Sequence, residues 1–174
     1  AIDRAVAVCR NYAALARSFS TDELVAVATS AAREAENKNI LLARLRHEAS
    51  MDVRVISGRE EARLIYMGVV TGIQLDEKQA LFVDIGGGST EIAIGGQHGC
   101  SALESLLLGS IRLTNQFFPR YHEKPVTKKQ YDRIQSAVRE VIGPVVPELS
   151  ANPFDIAYGS SGTIINLAEI AARS

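Results

Sequence analysis

The stretch Asp84-Ile85-Gly86-Gly87-Gly88-Ser89-Thr90-Glu91 decides how the rest of the chain reads. An apolar strand pattern, Ala80 to Ile85, runs into it. A second, Glu91 to Ile94, runs out of it before Gly95 and Gly96, so the spacing predicts a glycine-rich hairpin. Three successive glycines between strands let backbone amides approach an anion with no side chain in the way, a shape that suits phosphate. Asp84 before the loop and Glu91 beyond it are the acids to hold Mg²⁺, directly or through water, where the ion would neutralise phosphate oxygens. The same octapeptide, taken alone, also fits a plain hairpin in which Asp84 makes a turn hydrogen bond and Glu91 faces solvent.

Working outward, Phe154 to Tyr158 reads as a strand entering Gly159-Ser160-Ser161-Gly162-Thr163, with an apolar helix after it. Toward the N-terminus, Asp52 to Ser57 alternates like a strand, Gly58 punctuates it, and Arg59 to Met67 resumes helical spacing. Glu23 to Ala28 reads as a short buried strand, and Thr29 and Ser30 stand where an N-cap belongs before a charged, Ala-rich helix, Ala31 to Ala49. Ile2 to Phe19 has the spacing of an amphipathic helix. Thr127 to Ile142 reads as a capped helix that Gly143, Pro144 and Pro147 disturb or end. Three strand-to-helix turns and a hairpin, with no repeat and no low-complexity tract, predict an α/β architecture, its domain boundary near residues 72 to 80.

Several further residues bear on chemistry. In the second glycine turn, Gly159 and Gly162 bring backbone close, Ser160 offers a hydroxyl, and the following helix points free amides toward an anion. The turn lacks the GK[ST] ending of a P-loop, and by itself it also fits an ordinary capped turn. Glu60 and Glu61 open a helix, where acids commonly just complement the dipole; facing a cleft, one of them can orient water for attack on phosphorus. Spacing does not choose between the two. Arg33 has a planar donor fork suited to phosphate, although most helix-surface arginines are merely solvated. His47, His98 and His122 lack metal-ligand spacing and read as surface or satisfied polar positions, and no serine, histidine and acid set suggests a covalent triad.

Composition excludes some classes. With 174 residues, 47% apolar and 22% charged, the chain can bury a sizeable core and shows no sign of disorder. A net charge of -1, with Lys and Arg scattered, gives no broad footprint for nucleic acid, so a polyanionic ligand needs a local pocket. Cys9 and Cys100 have no CxxC or Cys/His spacing and read as free thiols. No leader pattern and no apolar run of about 20 residues is found, so a cytoplasmic location without a membrane partner is expected.

Together, A-T-S-A-A-R-E-A-E-N at 28 to 37, I-S-G-R-E-E-A-R-L-I-Y-M-G-V at 56 to 69, D-I-G-G-G-S-T-E at 84 to 91 and G-S-S-G-T at 159 to 163 resemble the exopolyphosphatase and guanosine pentaphosphate phosphohydrolase family, in order and in spacing. The resemblance implies the actin-like (ribonuclease H-like) fold shared with sugar kinases and heat-shock chaperone ATPases: two α/β domains with a phosphate-binding cleft between them. By that pattern residues 1 to 79 resemble the latter part of the first domain and 80 to 174 the beginning of the second. The family's opening D-x-G-S-N-S-type phosphate loop has no counterpart here, which leads one to expect a fragment.

Carried over residue by residue, Glu61 matches the family's catalytic carboxylate, taken to activate water. Asp84 and Glu91 match the acids that position Mg²⁺. Gly86, Gly87, Gly88, Ser89, Thr90, Arg33, Gly159, Ser160 and Gly162 match groups that line the phosphate cleft. The implied activity is hydrolysis of terminal phosphoanhydrides of inorganic polyphosphate, of the alarmone pppGpp, or of both, and the resembled family is commonly dimeric. Two other classes remain open: a phosphate or nucleotide sensor that keeps the cleft without turnover, and, less in keeping with the paired acids, an actin-like ATPase or kinase.

Overall fold

A computed structural model of the chain describes residues 1–119 and 125–173. The chain divides into two compact units, Ala1–Ser57 and Gly58–Ser174.

The first unit begins with α1 (Ile2–Ser18), follows with β1 (Ala26–Ala28), α2 (Ser30–Arg33) and α3 (Lys38–Ala49), and ends on β2 (Val53–Val55). β1 and β2 form a two-stranded parallel sheet, Val27 opposite Arg54. Its core is small: Val6 and Ala13 of α1 pack with Leu45 and Ala49 of α3 and with Met51.

Two expectations are corrected in this unit. The strand expected over Glu23–Ala28 is three residues long and half-exposed, with Val25 at 74% exposure, because β2 is its one strand partner among the described residues. The helix expected over Ala31–Ala49 is two helices. The first, α2, buries Ser30 and Ala32 beside β1, whereas α3 must present Leu45 and Ala49 to α1, and the turn at residues 34–37 reconciles the two demands. Packing overrides the helix propensity of Glu-Ala-Glu here.

The second unit opens with α4 (Gly58–Val70) and continues through β3 (Ala80–Ile85), β4 (Thr90–Gly95), β5 (Cys100–Leu106), α5 (Ser110–Phe117), α6 (Lys128–Ile142), a 3₁₀ turn (Gly143–Val145), α7 (Val146–Ser150), β6 (Ile156–Ser160) and α8 (Ser161–Arg173). The boundary between the units thus falls at 57/58, so that α4 goes with the second sheet, whereas the family resemblance draws its division at 79/80 and the sequence pattern near residues 72 to 80. The reason is the apolar face of α4: Ala62, Tyr66 and Val70 share a core with Ala80, Phe82, Ala93 and Leu103 of the strands.

The sheet runs β5-β4-β3-β6, antiparallel except for the parallel β3–β6 pair. Period-2 alternation gives it two faces. Phe82, Ala93 and Leu103 face α4, and the Phe82 ring lies edge-on to Tyr66 and stacked on Tyr158, with centroids 5.3 and 5.7 Å away. On the opposite face Leu81, Ile92 and Leu106 pack with Val138 and Ile142 of α6. The expected hairpin is present, with Asp84 directly opposite Glu91, and Gly143 and Pro144 convert the end of α6 into the 3₁₀ turn.

Candidate functional site

Register sets the site. Asp84 pairs across the sheet with Glu91 on one side and with Ser160 on the other, so the three side chains share one face of the sheet, the face α4 covers. The Ser160 hydroxyl donates to Asp84 Oδ2 at 2.6 Å, and Ser161 Oγ donates to the Ile85 carbonyl at 2.8 Å. These two bonds tie the second glycine turn to the first at the ends of β3 and β6. Ser161 is held with φ 74°, a left-handed conformation costly for a non-glycine residue, at the point where β6 turns into α8. The first turn of α8 carries the unpaired amides that any helix N-terminus leaves.

Glu91 is buried, 3% exposed, and does not face solvent as a plain hairpin would have it. Its Oε1 accepts from Ser105 Oγ at 2.8 Å. Burial pushes its carboxyl above the usual carboxylate range, hydrogen bonds from Ser89 and Ser105 pull it back, and the nearby charges of Glu61 and Asp84 push it up again. Glu61 of α4 and Asp84 of β3 are thus near enough to Glu91 of β4 for their charges to act on it.

The structure also separates the two acids that spacing leaves equivalent. Both Glu60 carboxylate oxygens are taken by Arg63, whose Nε and Nη2 each donate at 2.9 Å along the surface of α4. Glu61 is the one whose charge reaches Glu91.

Asp84 and Glu91 fit a Mg²⁺ ion in the manner typical of that ion, which takes one or two carboxylates and completes its shell with water and phosphate oxygens. The negative charge that Asp84 and Glu61 exert on Glu91 is what a cation would offset. Among the described residues there is no group of three or more His, Cys, Asp or Glu side chains set to hold an ion by themselves.

The glycine loop is held from Leu107 to Arg112, a segment to which the sequence patterns above assign no element. Gly109 lies so close that a Cβ there would stand 2.4 Å from the Gly87 carbonyl and the Gly88 nitrogen. Ser110 N donates to the Gly86 carbonyl and Arg112 N to the Gly87 carbonyl, each at 3.0 Å, and Arg112 Nε donates to the Gly88 carbonyl at 2.7 Å. The Thr90 hydroxyl closes the cradle by donating to the Leu108 carbonyl. None of the loop glycines has a positive φ, and it is at Gly109 that close approach to the loop backbone demands glycine. The one local signal for this segment was Gly109, standing between the apolar run Leu106–Leu108 and Ser110.

Arg33 belongs to the first unit, where its Nη1 donates to the Ile56 carbonyl at 3.0 Å and its Nε lies 3.7 Å from Glu34. Its guanidinium therefore braces the end of β2. In the same helix the Ser30 hydroxyl is buried with no hydrogen-bond partner among the described residues. His47 and His98 are exposed, His122 lies outside the described residues, and both cysteines are free. No described helix is long and apolar enough to cross a membrane.

The family model of the Ppx/GppA phosphatase family matches residues 1–174. Among solved structures the chain is similar to an exopolyphosphatase from Cytophaga hutchinsonii, with 29% identity, 99% of this chain and 54% of that one covered, and a TM-score of 0.89. It is also similar to the Ppx-GppA enzyme of Aquifex aeolicus, with 30% identity, 99% and 55% covered, and a TM-score of 0.75. The chain thus spans about half the length of the solved structures it matches.

Proposed function

The chain belongs to the Ppx/GppA phosphatase family and has its α/β, actin-like fold, and from that premise we propose that the protein carrying it hydrolyses terminal phosphoanhydride bonds of inorganic polyphosphate, of pppGpp, or of both. The observation that supports this most is the convergence, within one compact unit, of two carboxylates and two glycine turns: Asp84 and Glu91 at the ends of the strands that flank the 86–88 loop, with Ser160, just before α8, bonded to Asp84 and the charge of Glu61 acting on Glu91.

In this reading the amides of the glycine loop and of the first turn of α8 receive the terminal phosphate, and Ser160 fixes the Asp84 carboxylate that it touches. Asp84 and Glu91 would hold Mg²⁺, which when bound supplies neutralisation of charge on phosphate oxygens. Glu61 accepts a proton from water and orients it toward phosphorus; Glu60, engaged by Arg63, does not. Positioning and electrostatics carry the catalysis, as expected for phosphoryl transfer, with no covalent intermediate.

The test is phosphate release from polyphosphate and from pppGpp, with Mg²⁺ and with chelator, by the intact protein and by this chain. Glu61→Gln is expected to lower kcat by about 100-fold or more and to leave KM nearly unchanged. Turnover that survives this substitution removes Glu61 from the mechanism. Ligand binding without phosphate release by the intact wild-type protein would make it a sensor.

A further inference from the structure

Three successive carbonyls of the glycine loop, those of Gly86, Gly87 and Gly88, all turn toward the first turn of α5. A helix start offers free amides, and α5 gives two of them to the loop: Ser110 N to Gly86 and Arg112 N to Gly87. The next amide, Leu113 N, is already bonded to the Gly109 carbonyl inside the helix. The third loop carbonyl is reached by a side chain instead, with Arg112 Nε donating to Gly88 at 2.7 Å, the shortest of the bonds from α5 to these carbonyls and the charge-assisted one.

In a trans peptide the N–H points opposite to the C=O of the preceding residue. Drawing the carbonyls of residues 86, 87 and 88 to α5 therefore turns the amides of Gly87, Gly88 and Ser89 away from it, together. None of the hydrogen bonds among the described residues uses those three amides. Three adjacent unpaired donors aimed one way form an anion-binding concavity, and it is the clamp on their back that aims them.

We propose that Arg112 is a positioning residue for the phosphate loop: it fixes the Gly88–Ser89 peptide so that the Ser89 amide joins those of Gly87 and Gly88 in facing the substrate phosphate. This rests on the phosphatase reading for its ligand but not for its geometry. Arg112 acts from behind the loop, through the Gly88 carbonyl.

The experiment uses ¹⁵N-labelled chain, as wild type, as Arg112→Ala and as Arg112→Lys. Residual dipolar couplings of the Gly87, Gly88 and Ser89 amides, measured without phosphate, report the orientation of the peptides directly. Tripolyphosphate with Mg²⁺ is then titrated in. We expect changed couplings centred on Ser89 in Arg112→Ala, loss of the tripolyphosphate-induced shift of that amide, and binding about tenfold weaker. Added guanidinium is expected to restore part of both signals, whereas the couplings of amides elsewhere in the sheet stay at their wild-type values, which a merely structural role would not allow. Should Arg112→Ala fail to fold, Arg112→Lys, which keeps the charge but loses the planar donor, decides the matter: altered couplings support the proposal. Wild-type couplings in every folded variant overturn it. If tripolyphosphate moves none of the three amides even in the wild type, the phosphate reading of the loop is overturned, while the couplings still decide what Arg112 does to the peptide.

Discussion

A carboxyl that is 3% exposed and lies near two other acids is costly to ionise, and Glu91 is in that position. Its pKa in the folded chain is raised, first by burial. In the unfolded chain the same group titrates in the ordinary carboxylate range, so the folded state binds the proton more tightly. Its contribution to stability is then fully present at pH below that ordinary range and is lost as pH rises through the raised value. Glu91→Gln mimics the protonated form at every pH. The ligand-free variant should therefore melt higher than the wild type at pH 8, and this advantage should vanish near pH 4, as thermal unfolding at the two pH values will show. Mg²⁺ should stabilise the wild type at pH 8 and leave Glu91→Gln unmoved. A variant that melts below the wild type at pH 8 would mean that the ionised carboxylate is satisfied by Ser89 and Ser105 alone.

At the scale of elements, what could be read from the sequence and what could not divide along local and non-local causes. The β3 and β4 hairpin was legible because its alternation and its glycines act within a dozen residues. The α6 helix was legible for the same reason. Its N-terminus carries a complete capping box, with Gln130 N donating to Thr127 Oγ1 at 3.3 Å and Thr127 N donating to Gln130 Oε1 at 3.0 Å. Thr127→Ala should cost about 1 kcal/mol in urea unfolding; a loss near zero would mean that α6 is held by Val138 and Ile142 alone. The α5 helix was not legible. It is eight residues long, has no side-chain cap and buries no residue, and what fixes it is the loop some 24 positions earlier that its amides clamp. The break between α2 and α3 was hidden likewise, since it is required by packing beside β1 and against α1. In the site, the two acids that flank the glycine loop could be named from the sequence, while their cross-strand pairing is set by the register that the structure shows. The difference between Glu60 and Glu61 came from the bonds of Glu60 to Arg63 and from the charge of Glu61 acting on Glu91, which spacing does not encode.

Over the whole molecule the two units differ in what they bury. The second has a four-stranded sheet with apolar clusters on both faces, and every residue of β4 is buried. The first has two three-residue strands and a core of five buried side chains, two of them alanines, while Tyr12, Phe19 and Val25 are left exposed. Area removed from water is the main source of stability, and a unit of that size and core is marginal. Opening of β1 and β2 should therefore be a sub-global event that leaves β3, β4 and β5 closed. Amide hydrogen exchange is the measurement, with protection of Ile92, Ala93 and Ile94 expected to exceed that of Val27 and Val55 by on the order of 100-fold. If the two sets exchanged at one common rate, the chain would open as a single cooperative body. Graded protection would instead mean that the carboxylates and glycine turns keep their geometry while the first unit opens, because the elements that fix Glu61, Asp84, Glu91 and the 86–88 loop all belong to the second.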